Sequence, residues 1–336
     1  MNNEQNVIPI FFTIDDGYAP YLSTALDSMI QNASPNHRYI AFIVTQGVRQ
    51  ENYERLIALG RPHFEVRFIA MNGLPITDRS ENWLRLNRFT QTIYFRLFLA
   101  DMFPEYDKGI YLDSDIIVLG NIAELYATEL GDQHVIAACP DYSIQDTPVL
   151  TRYVEQAVGA ERDRYINSGV LVLNMKMMRE IHFSTQFLMH MNHWHFDTIA
   201  PDQDYLNAMC YGRIRFLDEC WDAMPKPSGI ELEKPKLIHY NLFRKPWFYD
   251  DVSYEDYFWK YAEVSSFYPE IVQRKENYGE QERRSDQEGM DYLLEKAGTI
   301  PDAEMNFRKA YEQGASIRIW PEENEGRDCH AQGNLF

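Results

Sequence analysis

The chain has 336 residues, with 51 Asp and Glu against 32 Lys and Arg and a formal charge of -19. That length can hold one large α/β domain with an appendage, or two modest domains, while the charge and the lack of any long basic block argue against binding a nucleic-acid polymer. Four scattered cysteines without CxxC spacing, and a start "MNNEQNVIPI" with neither a basic nor a long apolar region, point to a reducing cytoplasm and no secretion signal. No apolar run approaches the roughly 20 residues that cross a bilayer, so any membrane contact is expected to be peripheral.

"VIPIFFTI", residues 7–14, suits a buried parallel strand, and Leu22, Ala25, Leu26, Met29 and Ile30 follow at helical spacing. The pattern repeats: "YIAFIVT" predicts a strand, 51–59 a helix, "FEVRFIA" a strand, and 92–103 a helix before "KGIYLD". Such alternation predicts an α/β fold with a mostly parallel sheet covered on both faces, and ligands beyond the carboxyl ends of its strands. "HVIAACPD", "YINSGVLVLNM" and "PKLIHYN" predict further strands, with a helix over 177–190. Near Asp250 the composition shifts to aromatics mixed with charges. The expected division is a catalytic domain over 1–250 and a mainly helical extension over 251–336, ending in a polar tail, "PEENEGRDCHAQGNLF", with the composition of a disordered segment.

"GIYLDSDIIVLGNI", residues 109–122, sets Asp113 and Asp115 one residue apart at the end of an apolar run. Two carboxylates at that spacing in a turn can converge on a hard divalent cation, whose other positions go to water and phosphate oxygens. They are equally consistent with two surface turn residues, and the wider context has to decide.

That context resembles glycosyltransferase family 8, the group of glycogenin and the bacterial lipopolysaccharide galactosyl- and glucosyltransferases. The resemblance runs from about Ile8 to Trp247 through several ordered motifs, the first being "YLDSDIIV" against the family's YLDxDxxV. It implies a GT-A fold, Rossmann-like, in which Asp113 and Asp115, with Ser114 between them, hold Mn2+ or Mg2+ against the diphosphate of a UDP-sugar. "FTIDDGYAPYL" lies where the first strand ends, and the resemblance carries over Thr13, Asp15 and Tyr18 as nucleotide contacts, Asp15 accepting from the uracil and Tyr18 stacking on it. Gly17 stands where the family often has Asn. "HYNLFRKPW" resembles H-x-x-G-x-x-K-P-W, which makes His239 the third metal ligand and Lys245 the diphosphate contact that stabilises departing UDP. Leu242 replaces the family's glycine, a change expected to weaken a backbone contact to phosphate or shift the loop.

By the same resemblance, Arg96 of "YFRL" reaches the donor sugar or its phosphate, and Asn167 and Ser168 of "YINSGVLVLN" face the sugar, with Gly169 permitting close approach. In "PDQDYLNAM", Asp202 would bind sugar hydroxyls and Gln203 would lie beneath the anomeric carbon, while Asp204 and Asn207 read as structural hydrogen-bonders. Family members retain anomeric configuration, and an amide at Gln203 is a poor nucleophile. The expected route is therefore departure of UDP with same-face attack by the acceptor.

The activity so implied is transfer of glucose or galactose from a UDP-hexose to a carbohydrate or lipid-linked glycan acceptor, in cell-surface polysaccharide or lipopolysaccharide synthesis. Transfer to a protein side chain or polyol, and a UDP-sugar-binding scaffold without turnover, are the alternatives. A homodimer built on the extension also stays open. His190, His193 and His195 suggest a second metal site only weakly, Cys210 and Cys220 read as buried small hydrophobes, and Trp83, Trp221, Trp247 and Trp259 read mostly as core, with "WDAMP" as a candidate acceptor loop.

Overall fold

The early apolar runs become neighbouring strands in a computed structural model that describes residues 7–71, 91–145, 147–226 and 229–319. The strands are β1 (Val7–Ile14), β2 (Arg38–Thr45), β3 (Phe64–Ala70), β4 (Gly109–Leu112), β5 (Ile116–Val118), β6 (Ile136–Ala138), β7 (Val170–Leu173), β8 (Ile214–Phe216) and β9 (Leu237–His239). Seven form one sheet in the order β3-β2-β1-β4-β7-β6-β8, and β5 and β9 form a separate pair. The β1–β2, β2–β3, β1–β4 and β6–β8 pairs are parallel, whereas β7 runs antiparallel to both neighbours. Every residue of β4 and β7 is buried, as expected of strands covered on both faces.

The direction of β7 decides the site. Leu112, the last residue of β4, pairs with Val170, the first of β7. Residues preceding β7 therefore arrive at the edge where β1 and β4 end. The β5–β9 pair adds the rest, because Ile116 lies opposite His239 across 123 residues of chain.

Helix Ala19–Asn32 begins with Pro20 in its first turn and buries Leu22, Ala25, Leu26 and Met29 on one face, the periodicity visible in the sequence. Residues 92–103 differ from expectation: a 3-10 stretch, Gln91–Leu97, precedes a short helix, Leu99–Met102. The β-branched and aromatic run Thr92–Phe95 has weak helix propensity, and Tyr94, Phe95, Leu97 and Leu99 are all buried, so packing rather than helical periodicity sets the backbone. The helix expected over 177–190 is two helices, Met175–Glu180 and Phe183–Trp194, parted by His182 at φ 53. Strand β8, too short and polar to announce itself, pairs with β6.

Beyond Asp250 the chain is helical: Glu255–Ala262, Tyr268–Glu276, Glu280–Thr299 and Phe307–Glu312. Phe258, Tyr261, Phe267 and Ile271 join the core beneath helix Ala19–Asn32, and Ala297, Ile300, Phe307 and Ala310 join the core on the other face of the sheet. Among the described residues no helix is long and apolar enough to cross a membrane. Trp83, Cys329 and the polar tail lie outside the described residues.

Candidate active site

After β4 the chain turns through Asp113, Ser114 and Asp115 into β5, and its backbone is pinned from two sides. Asp113 N donates to Gly169 O at 2.8 Å, and Tyr240 N donates to Asp115 O at 2.9 Å. Each carboxylate divides its oxygens between a cation and His239. Asp113 Oδ1 receives the Tyr111 hydroxyl at 2.7 Å and Arg96 Nη2 at 3.0 Å, leaving Oδ2 at 3.8 Å from His239 Nε2. Asp115 Oδ2 takes the Lys245 ammonium, and its Oδ1 lies 3.3 Å from the same nitrogen.

The ligand atoms of Asp113, Asp115 and His239 lie within 4.8 Å of one another. Two carboxylate oxygens and one imidazole nitrogen fit a divalent cation that tolerates mixed O and N ligands. The space is kept open by Gly169, where a Cβ would lie 2.3 Å from His239 Cε1 and 2.9 Å from Asp113 Oδ2. Behind the imidazole, Nδ1 lies 3.0 Å from Asp222 Oδ1. With the proton on Nδ1, Asp222 accepts it and the Nε2 lone pair faces the two carboxylates.

The clustered carboxylates favour positive charge at this site. Burial would lower the His239 pKa, yet Asp115 and Asp222 outweigh it and push it up to about 10. Burial would raise Asp115, but Lys245 and His239 hold it well below the ordinary carboxylate range. Asp222 is raised to about 6 by burial, against the pull of His239.

A second ring of side chains fixes the first. Besides Asp113, Arg96 binds Asp202 at 3.1 Å, Ser168 O at 2.8 Å and Ser168 Oγ at 3.0 Å, and its guanidinium lies 4.3 Å above the Tyr111 ring. Tyr111 in turn meets Thr13 Oγ1 at 3.0 Å, which couples the end of β1 to Asp113. Ser168 Oγ donates to Asp202 at 2.9 Å, and Ser168 N donates to Gln203 Oε1 at 2.9 Å. Gln203 Nε2 donates to Asp141 at 2.9 Å, and Asn167 reaches the same Asp141 oxygen at 3.2 Å while its own Oδ1 accepts from Gly169 N. Asn167, Ser168, Asp202 and Gln203 thus form one buried network, with Asp202 and Gln203 supplied by the first turn of helix Pro201–Met209. Asp204 and Asn207 of that helix have other duties: Asp204 receives the hydroxyls of Tyr153 and Tyr165, and Asn207 brackets the Ile166 backbone.

The loop after β1 is a 3-10 turn, Asp16–Tyr18, closed by Tyr18 N donating to Asp15 O. Asp16 is bound by Arg49 N, Arg49 Nε and Asn52, while the Tyr18 ring is exposed. Although 39% of the residue is exposed, desolvation of its hydroxyl, with the charges of Asp115 and Asp15, raises the Tyr18 pKa. On the opposite side, Lys245 donates to Tyr240 O as well as to Asp115, and Trp247 is buried against Tyr21 at 4.2 Å. Leu242 takes φ 58, the left-handed conformation a glycine favours, and points its side chain outward. The loop thus adopts the glycine-type conformation with leucine in place.

Three partners escaped sequence reasoning. In the sequence Tyr111 is only part of the strand-like "KGIYLD", and Asp141 only the end of "HVIAACPD". Asp222 is 17 residues from His239 and belongs to "WDAMP", read as a candidate acceptor loop; an acid between apolar neighbours was its one signal. The structure buries Asp222 and Trp221 and ties Ala223 to β9. His190, His193 and His195 are not part of the one metal-competent group among the described residues.

The model of glycosyl transferase family 8 matches residues 9–251, most of the chain and all of this site. The chain belongs to that family. Among its relatives, a Haemophilus influenzae protein named as a glycosyltransferase is 26% identical over 231 residues, covering 68% of this chain and 67% of that one. The lipopolysaccharide 1,2-glucosyltransferase of Escherichia coli is 23% identical over 305 residues, 82% of this chain and 85% of the relative. Against two longer streptococcal glycosyltransferases the chain spans 24% and 21% of their lengths. The crystal structure of galactosyltransferase LgtC, solved with donor and acceptor sugar analogs, superposes with a TM-score of 0.65 at 23% identity, covering 80% of this chain and all of LgtC. The fold is therefore GT-A, and the family assigns the chain to the glycosyltransferases.

Proposed function

We propose that this chain is a metal-dependent, retaining hexosyltransferase that moves glucose or galactose from a UDP-sugar to a glycan or lipid-linked acceptor. The observation that carries the reading is the convergence of Asp113, Asp115 and His239 on one open space, with Lys245 at its rim. Thr13, Asp15 and Tyr18 would take the uridine, and Asp113, Asp115 and His239 would hold Mn2+ or Mg2+. When bound, that ion offsets the charge of the diphosphate and of departing UDP. Lys245 engages Asp115 and Tyr240 O, which leaves one ammonium N–H for a phosphate oxygen.

Gln203 supports retention. Its amide is held at both ends, by Ser168 N and by Asp141, and offers oxygen lone-pair density rather than a nucleophile. The neighbouring carboxylate, Asp202, is bound by Arg96 and Ser168. The bond from the anomeric carbon to the phosphate oxygen breaks, the acceptor hydroxyl forms the new bond on the same face, and its proton passes to UDP. The E. coli relative supports a surface-glycan acceptor. The free cysteines Cys139, Cys210 and Cys220 support a cytoplasmic setting.

Incubation with UDP-glucose or UDP-galactose and MnCl2 is expected to release UDP. EDTA, or Asp113→Asn with Asp115→Asn, should remove that activity. Absence of any metal-dependent UDP binding by the native chain would sink the reading.

A further inference from the structure

The loop carrying Asp15 and Tyr18 is gripped by a residue of the helical extension. Arg274, on helix Tyr268–Glu276, donates from Nη1 to Gly17 O at 2.6 Å, while its Nη2 pairs with Glu270 one turn earlier at 2.6 Å. Glu270 also lies 3.6 Å from Arg55 of helix Gln50–Ile57. Arg55 is itself fixed, stacked 3.4 Å from the Phe267 ring centre and donating to Ser266 O at 2.6 Å. The same helix Gln50–Ile57 and the residue before it hold the other flank of the loop, through Asn52 and Arg49 on Asp16. The Arg274 guanidinium further lies 5.6 Å over Tyr21, whose ring stacks on Trp247 beside Lys245. One side chain thus touches the supports of both loops that flank the metal-competent group, and it lies beyond the residues that match the family model.

We propose that Arg274 is a positioning residue for the donor nucleotide, which makes the helical extension part of the donor site. The proposal rests on reading the 15–18 loop as the uridine site. Gly17 has no side chain to anchor it, and glycine has the most backbone freedom to lose on ordering. A charge-assisted hydrogen bond to its carbonyl restricts that freedom before the nucleotide arrives. Binding then does not have to order the loop, and the gain appears as affinity. Arg274 reaches none of the metal-competent residues, so its loss should weaken the nucleotide and leave the ion alone.

The test is calorimetric titration of the full chain with UDP in MnCl2, for native protein, Arg274→Ala, Arg274→Lys and the control Arg284→Ala, whose side chain is 82% exposed. Arg274→Ala should bind UDP about 5- to 30-fold more weakly, with donor KM rising in step and kcat held. Arg274→Lys, which can still reach the carbonyl but cannot fork to Glu270, should recover part of the loss. Arg284→Ala should match native protein, and Mn2+ affinity without UDP should be equal in all four. Native-like UDP affinity in Arg274→Ala, with only a lower unfolding midpoint, overturns the proposal. Should that variant not fold, Arg274→Lys and Glu270→Gln carry the test, and native-like affinity in both overturns it. A native chain that binds no UDP removes the uridine reading itself, a result told apart by the first titration alone.

Discussion

His239 shows how a residue's role depends on what stands behind it. Its Nδ1 leans on Asp222, which has no solvent exposure and whose Oδ2 finds no partner. Asp222→Ala should weaken Mn2+ binding about 10- to 100-fold, read by electron paramagnetic resonance of free Mn2+. The pH dependence has a definite sign. A metal needs neutral imidazole, and without metal His239 keeps its proton up to about 10. Mn2+ affinity should therefore rise with pH, by about tenfold per unit through the neutral range, with a proton released on binding; a flat profile between pH 6.5 and 8.5 contradicts this. Leu242 is a local cost of another kind. At φ 58 a leucine is strained by roughly 1–2 kcal/mol, of which the greater unfolded-state freedom of glycine takes back about half. Leu242→Gly should raise stability by about 0.5–1 kcal/mol in urea denaturation. The two aspartates were legible as a carboxylate pair, and His239 and Lys245 through the resemblance of "HYNLFRKPW" to a family motif. Asp141 and Asp222 were not, since a buried acid gains its meaning only from the group it faces.

Among elements, helix Pro201–Met209 delivers Asp202 and Gln203, and its placement depends on Asp204. That carboxylate has no solvent exposure and receives Tyr153 and Tyr165 at 2.7 Å each, as well as Ala200 N at 3.1 Å. Asp204→Ala strands two buried hydroxyls and should cost about 3 kcal/mol or more, visible as a lower urea midpoint. Activity under native conditions should fall less than with Gln203→Ala. Strand and helix alternation was readable over the first 70 residues, where long apolar runs meet clear amphipathic periods. At 92–103 an α-helix was expected where most of the segment is 3-10, and at 177–190 the expected helix is present but broken at 181–182. There, burial on several sides removes the polar face that marks a period, and a single left-handed residue, His182, splits a helix that composition would continue.

At the scale of the molecule, the extension shares its core with the scaffold of the candidate site. Phe258, Tyr261, Phe267 and Ile271 pack beneath helix Ala19–Asn32, each worth about 1.5–3 kcal/mol of burial. Together they rival the whole net stability of a domain, about 5–15 kcal/mol. A chain ending at Asp250 should therefore aggregate or elute as a misfolded species in size-exclusion chromatography with light scattering. A folded, monomeric truncation with native UDP affinity would contradict both this and the role given to Arg274. From the order of its residues alone, this protein was readable as an α/β chain with a two-aspartate metal motif, a distant His and Lys, and a helical end. Composition and periodicity carry the fold class and the helical end, the carboxylate spacing carries the metal motif, and the resemblance to a family's ordered motifs carries the His and Lys; none of these needs knowledge of spatial neighbours. Tertiary structure alone decided that β7 runs antiparallel and brings Asn167 to Gly169 to the site. It alone set His239 opposite Ile116, Asp222 behind the imidazole and Arg274 on Gly17. Each of these is a contact between residues far apart in the chain, fixed by strand direction and packing rather than by any local preference.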